Sequence, residues 1–265
     1  MPNFIQRTFS KLLNPQPQNP NPNNEQKPNT LVEDMPQIAR IKYFEDLQID
    51  VHPGDIICEH IRANGSWEDS LSERLIEAGK SGGLMIDVGA NVGYFSLLWA
   101  KANPENKVYA FEASPRIYPK LIENVTKNGL SEQIYPFSAA LSQYCQVHEF
   151  VLGPEEQTGW GGLINYTNGE NTKVLCVRLD ELITDEKIRL MKIDVEGADT
   201  WVLKGCEKLL REHKIEEIYY EQNIPRMMEL GIDPSEAGNY LKKYGFKPEN
   251  ITPHETDVTE WHATL

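Results

Sequence analysis

Basic residues are in short supply in this chain. Against 40 aspartates and glutamates it carries 26 lysines and arginines, a formal net charge of −14. A nucleic-acid partner needs a basic surface to answer its phosphates, so this balance argues against one. Cysteine is scarce as well: Cys58, Cys145, Cys176 and Cys206 form no C-x-x-C pair. They read as free thiols of a reducing cytosol, not as zinc ligands or a disulfide framework. No apolar run approaches the roughly 18 residues of a membrane span. The first residues also lack the continuous apolar stretch of a secretory signal. Together these absences predict a cytoplasmic protein with no transmembrane segment. Hydrophobic residues make up 40% and charged residues 25% of 265 positions, enough to build one sizeable α/β domain.

Residues 14–30 read NPQPQNPNPNNEQKPNT and contain no large apolar side chain. They predict an extended, disordered linker. Before it, residues 1–13 place Ile5, Phe9, Leu12 and Leu13 on one helical face, with Arg7 and Lys11 opposite. Two readings of this amphipathic segment stand. It is a helix that docks on a partner or an anionic membrane surface, or a frayed tail too short to hold a helix alone. Residues 31–265 read as a single domain. Candidate strands 84–88, 108–112, 134–138, 190–194 and 215–221 alternate with candidate helices 94–102, 114–128, 198–211 and 234–244. That alternation predicts a doubly wound, mostly parallel sheet covered on both faces. Segments 147–152 and 173–177, around Gly159-Trp160-Gly161-Gly162, suggest a β-hairpin insertion. One or two strands, near 246–250 and 256–264, close the chain. Ligands of such sheets bind outside the carboxyl ends of the strands, so the chemistry belongs after residues 88, 112, 138, 194 and 221.

The densest motif is Asp87-Val88-Gly89-Ala90-Asn91-Val92-Gly93, a strand, a glycine turn and the start of a helix. Glycine lets a ligand approach bare backbone. The spacing is Gly-x-x-x-Gly, not the Gly-x-Gly-x-x-Gly of dinucleotide sites, and Asp87 would repel a pyrophosphate. A carboxylate there suits a cationic ligand, such as the sulfonium and ammonium groups of S-adenosylmethionine (SAM). Glu112 follows Gly89 by 23 residues, at the end of the second strand, where an acid accepts both ribose hydroxyls. That spacing alone fits NAD as well. Ala139 and Ala140 are small enough for a flat ring to lie against backbone. In Lys192-Ile193-Asp194-Val195-Glu196-Gly197, strand alternation puts Lys192 and Asp194 on one face. A lysine inside a covered sheet must be paired or neutral, and Asp87 and Asp194 are its candidate partners. Lys192 therefore reads as orienting these acids in preference to reacting itself. Asp194, Glu196 and Glu221 are candidate general bases. His52 and His60 lie upstream. An acidic trio is also a candidate divalent-cation site, although no ligand set is assigned.

These residues carry a family resemblance. Asp87-Val-Gly-Ala-Asn-Val-Gly93, Phe111-Glu-Ala-Ser-Pro115, Ala139-Ala-Leu-Ser142, Arg178-Leu-Asp-Glu-Leu182, Lys192-Ile-Asp-Val-Glu-Gly-Ala198 and Val202-Leu-Lys-Gly205 occur in the order of the FkbM-type SAM-dependent methyltransferases, which the chain resembles. Ser66-Trp67-Glu68 resembles the family's segment before the domain. The likeness spans roughly residues 60–262 and leaves 1–50 outside; Ala113 stands where the family pattern has proline. It implies a Rossmann-like class I methyltransferase sheet of seven strands with the last antiparallel. It also implies SAM as cofactor and methyl transfer to a hydroxyl oxygen of a small molecule, such as a sugar or natural-product intermediate. By position, Asp87, Gly89, Ala90, Asn91 and Gly93 would hold the methionine portion, with Asp194 beside it. Glu112 and Ala113 would meet the ribose, Ala139 and Ala140 the adenine, and Glu68 and Trp67 would close over the cofactor. A nicotinamide oxidoreductase fits the glycine spacing poorly. A non-catalytic docking module leaves the clustered acids unexplained.

Overall fold

A computed structural model describes residues 37–51, 54–154, 157–164 and 171–265. The amphipathic segment 1–13, the linker 14–30 and His52 lie outside the described residues. Strands β1 (Gln37–Arg40) and β2 (Gln48–Val51) form a hairpin, followed by helices α1 (Ile56–Asn64) and α2 (Asp69–Gly79). The main sheet then begins with β3 (Leu84–Val88). It continues through α3 (Tyr94–Ala102), β4 (Lys107–Phe111), α4 (Tyr118–Lys127) and β5 (Ile134–Phe137). Short strands β6 (Ala140–Leu141), β7 (Gln146–Val151), β8 (Gly162–Leu163) and β9 (Asn171–Val177) come next, then α5 (Leu179–Leu182). The chain returns through β10 (Ile188–Ile193), α6 (Asp199–Lys204), α7 (Glu207–Arg211) and β11 (Glu217–Asn223). It ends with α8 (Ile224–Leu230), α9 (Glu236–Lys243), β12 (Lys247–Asn250) and β13 (Val258–Thr264).

Seven strands form the main sheet in the order β12-β13-β11-β10-β3-β4-β5. The ladders joining β11, β10, β3, β4 and β5 are parallel, whereas β13 runs antiparallel to both neighbours. Buried parallel strands need apolar residues on both faces, and all five residues of β3 are buried. Trp99, Leu97 and Leu98 of α3 pack into one core cluster with Leu121 and Val125 of α4. The N-terminal hairpin is clipped to α4 by two asparagines. Asn124 accepts from Asp50 N at 2.8 Å and donates to Val92 O at 2.9 Å; Asn128 accepts from Gln48 N and donates to Gln48 O. This anchors the segment that carries α1 and α2 towards the glycine turn.

Several sequence expectations need correction. The insertion is a four-stranded sheet, β6-β9-β7-β8, and not a lone hairpin. The two-residue strands β6 and β8 are too short to show alternation. The expected helix 198–211 breaks into α6 and α7, because Gly205 packs against Ser142: a Cβ there would lie 2.2 Å from the Ser142 carbonyl oxygen. Asp180 caps the second piece, accepting from Lys208 N and Leu209 N, and Arg178 pairs with that carboxylate. The helix expected from Ser114 starts at Tyr118, because Ser114 O accepts from Ile117 N and Tyr118 N in a preceding turn. Helix α8 was not read from the sequence; Asn223 caps it, with Pro225 in its first turn. Strand β11 covers Glu217–Asn223 and not 215–221, so Glu221 lies inside the strand and not at its end.

Candidate active site

Gly89 ends β3 with φ +77°, and its amide donates to Phe111 O at 2.9 Å. A Cβ on it would stand 1.8 Å from Asp194 O, so the ends of β3 and β10 meet only because this residue has no side chain. Gly93, at φ +93°, opens α3. Between them Asn91 takes φ +50° and donates its amide to Glu112 Oε2 at 2.9 Å. Glu112 Oε1 accepts from Ser114 N at 2.7 Å. The glycine turn and the end of β4 thus aim the Glu112 carboxylate jointly.

Two cavities open at these strand ends. The first, a cleft, is walled by Gly89, Asn91, Glu112, Ala113, Ala139, Ala140, Asp194 and Glu196, and roofed by Phe150, Gly159, Gly161, Gly162 and Leu163 of the insertion. The second is wider, about 320 Å³, and holds Ile56, Ile57, Trp67, Glu68, Trp160, Glu221, Asn223 and Val258 in its walls. Asn91, Gly159, Asp194 and Glu196 border both. Three non-glycine residues of these walls take left-handed backbone: Glu68 at φ 43°, Asn91 at 50° and Glu196 at 54°. Such conformations cost about 1–3 kcal/mol each and cluster at working sites.

Some residues expected at the site lie beneath it. Asp87 was expected to face the ligand. It is completely buried, borders neither cavity, and accepts from Ser96 Oγ at 2.5 Å. Lys192 also sits outside both walls; its Nζ donates to Asp194 Oδ2 at 3.0 Å and lies 4.9 Å from the Phe95 ring centre. In the ladder Lys192 stands beside Asp87. Burial pulls the Lys192 ammonium down, but Asp194, Asp87 and Glu68 outweigh it and hold it above the ordinary range. Ala90 and Gly93 shape the turn without bordering a cavity. His60 packs edge-on against Trp67 at 5.2 Å. The sequence did not point to Phe150, Leu163, Asn223, Gly159, Gly161 or Gly162 as cavity walls. The run Gly-Trp-Gly-Gly was the available signal, since segments without Cβ allow close approach.

The carboxyl groups here are unusual. Burial above all raises Glu68, Glu112 and Glu196 to about 7 and Glu260 to about 8. Glu221 goes well above its ordinary value through burial and the neighbouring Asp194, Glu196 and Glu260. The native state therefore keeps protons that an unfolded chain releases near pH 4.3. Where the native state binds more protons, stability falls as pH rises. The loss begins near pH 4.5 and continues through about pH 8, the value to which Glu260 is raised. One such group over two pH units corresponds to ~2.7 kcal/mol, or about 5–10 °C in Tm. Calorimetry of the ligand-free protein should show Tm falling by at least ~5 °C between pH 5.5 and 8. A flat or rising Tm would mean that these carboxyls are not held in the buried setting described.

Seven strands with the last antiparallel, and a glycine turn after the first parallel strand of the sheet, define a Rossmann-like class I methyltransferase fold. The sequence profile of the methyltransferase FkbM domain matches residues 87–248, more than half of the chain, and the protein belongs to that family. It is similar to the hexuronic acid methyltransferase AglP of Haloferax volcanii, 26% identical over 182 residues, 66% of this chain and 68% of that one. The 31-O-demethyl-FK506 methyltransferase FkbM of Streptomyces tacrolimicus is 27% identical over 161 residues, 48% of this chain and 61% of that one. A tRNA (guanine(37)-N(1))-methyltransferase of Aedes aegypti is 27% identical over 222 residues, 80% of this chain but 36% of its own length. The chain thus spans only part of these relatives. Among solved structures, precorrin-6y C5,15-methyltransferase from Geobacter metallireducens GS-15 superposes with a TM-score of 0.44 at 11% identity, over 74% of this chain and 87% of that one. A likeness that loose says nothing about substrate.

Proposed function

We propose that the protein is a SAM-dependent methyltransferase acting on a hydroxyl oxygen of a small molecule. The shared wall carries this reading: Asn91, Gly159, Asp194 and Glu196 border both cavities, so groups bound in the two meet there. The residues present suit the cofactor. Ala139, Ala140, Gly161 and Gly162 leave a slot without bulky side chains for a flat ring. Each Glu112 oxygen spends one acceptor site on a backbone amide and keeps another for a ribose hydroxyl. Asp194 and Glu196 offer a negative wall to a sulfonium. When bound, SAM supplies an activated methyl group.

The chain's own residues supply alignment and a base. A hydroxyl is a poor nucleophile until a base takes its proton, and the best base titrates near the working pH. Glu196 fits that role: it borders both cavities and burial raises it to about 7. Asn223 Nδ2 holds its Oε2 at 2.8 Å. Asp194 is committed to Lys192, and Glu221 borders only the wider cavity. Lys192 positions Asp194 from beneath the floor. A tRNA acceptor, which the name of the Aedes relative suggests, meets a chain of net charge −14.

Calorimetry with S-adenosylhomocysteine (SAH) tests the cofactor half. Glu112→Ala should weaken SAH binding at least ~10-fold, since hydrogen bonds to a charged group contribute about 1.5–3 kcal/mol. Unchanged affinity would remove Glu112 from the ribose site. Methyl-labelled SAM with cell extract tests the acceptor half. Base-stable label in small molecules is the expected product, and label confined to macromolecules would sink the small-molecule reading.

A further inference from the structure

Among the described residues, the walls of the wider cavity contain four carboxylates, Glu68, Asp194, Glu196 and Glu221, and no lysine, arginine or histidine. Lys192 lies below and is paired with Asp194. Arg226 is spent on Trp160 O and on Glu229. Asp194 and Glu196 also face the cofactor cleft, so a sulfonium answers them. Glu68 and Glu221 face only the wider cavity.

Glu221 is the odd member. Its side chain is partly buried and borders the cavity, and its carboxyl accepts no hydrogen bond from the described residues. Directly across the antiparallel ladder stands Glu260. Like charges in that position repel, and burial sharpens the cost. Trp67 and Trp160 border the same space. Carboxylates beside aromatic faces form a receptor for an organic cation.

We propose that the acceptor is cationic: a small hydroxyl compound that also bears an ammonium group, such as an amino sugar or amino alcohol. Its ammonium lies against Glu221 and Glu68 in the wider cavity and its hydroxyl points to the wall shared with the cofactor. This rests on the methyltransferase reading and adds the charge of the substrate. An anionic acceptor is excluded by the same walls. A divalent metal is the weaker occupant, because the described residues contain no group of three or more His, Cys, Asp or Glu side chains arranged to hold one.

The test splits a small-molecule cell extract on ion exchangers into cationic, neutral and anionic pools. Each pool is offered to the full chain with methyl-labelled SAM. Label transfer is expected in the cationic pool alone, and N-acetylation of that pool should cut it at least ~10-fold. Glu221→Gln should raise the apparent KM for the cationic pool at least ~10-fold, with kcat changed less than ~3-fold. That variant relieves repulsion with Glu260, so it should fold at least as stably as the parent. Transfer to the neutral or anionic pool overturns the proposal. So does loss of transfer on chelation, which would hand the charge to a metal. SAH calorimetry separates the two levels. A protein that binds no SAH fails as a methyltransferase, whereas one that binds SAH and methylates a neutral acceptor fails only here.

Discussion

Gly89→Ala should be among the most damaging single substitutions in this chain, lowering stability by more than about 4 kcal/mol or preventing folding. The added Cβ would lie 1.8 Å from the Asp194 carbonyl oxygen. That oxygen is backbone at the end of β10, and it cannot step aside cheaply. The adjacent Asp194 amide donates to Val88 O at 3.0 Å, and the β3–β10 ladder fixes the register on either side. Alanine also has to adopt φ +77°, a left-handed conformation costing about 1–2 kcal/mol for a residue with a Cβ. Gly129→Ala separates the two terms. Gly129 has φ +68° but nothing within 4 Å of its Cβ position, so only the conformational cost applies. Thermal unfolding of both variants decides the matter. If Gly89→Ala melts within a few degrees of Gly129→Ala, the strand ends are not pressed together as described.

The same contact explains why so much of the fold could be read in advance. A turn that joins two parallel strand ends over bare backbone leaves a local signature, an apolar run followed by spaced glycines. Buried strands such as β3, and β10 apart from Arg189, leave another, because both faces need apolar residues. In the insertion the longer β7 and β9 could be read, but β6 and β8 left neither signature. Its β6 pairs with β9, Ala140 with Cys176 and Leu141 with Val177, across more than thirty residues and through two-residue strands. No period survives at that length. The break between α6 and α7 was hidden for a similar reason, since its cause is Ser142, far away in sequence.

The site divides along the same line. Glu112, Ala139 and Ala140 were legible from their places at strand ends, Asn91 and Ala113 from the family resemblance, and all border the cleft. Asp87 was legible as an acid in the right motif and as a candidate partner of Lys192, but not as a residue buried away from the ligand against Ser96. Strand alternation gives the sides of a strand and does not say which side meets the ligand. The pairing of Glu221 with Glu260 needed the antiparallel register of β13, which no local pattern encodes.

Glu196→Gln should lower kcat by about 10²- to 10⁴-fold while leaving SAH affinity within a few-fold of the parent, the range lost when a positioned general base is removed. The substitution preserves the shape of the side chain. The left-handed backbone at φ 54° and the neighbouring Gly197 at φ 87° therefore stay as they are. What disappears is the group that accepts the hydroxyl's proton. The pH profile carries the sharper signature. Burial first, then Asp194, raises Glu196 to about 7, while Arg226 and the Asn223 hydrogen bond pull the other way. A base works only when ionised, so parental kcat/KM should be full above about 7 and fall about tenfold per pH unit below it. In Glu196→Gln that acid limb should vanish, leaving a low rate that no longer tracks this proton. Glu68 and Glu112 are also raised to about 7, so a limb near that pH does not by itself name its owner. Its loss in this one variant does. A variant that keeps more than a tenth of the parental kcat, with the limb intact, would pass the role to Asp194 or Glu221. Lys192 would then hold the ion pair of a base, and not only of a neighbour to one.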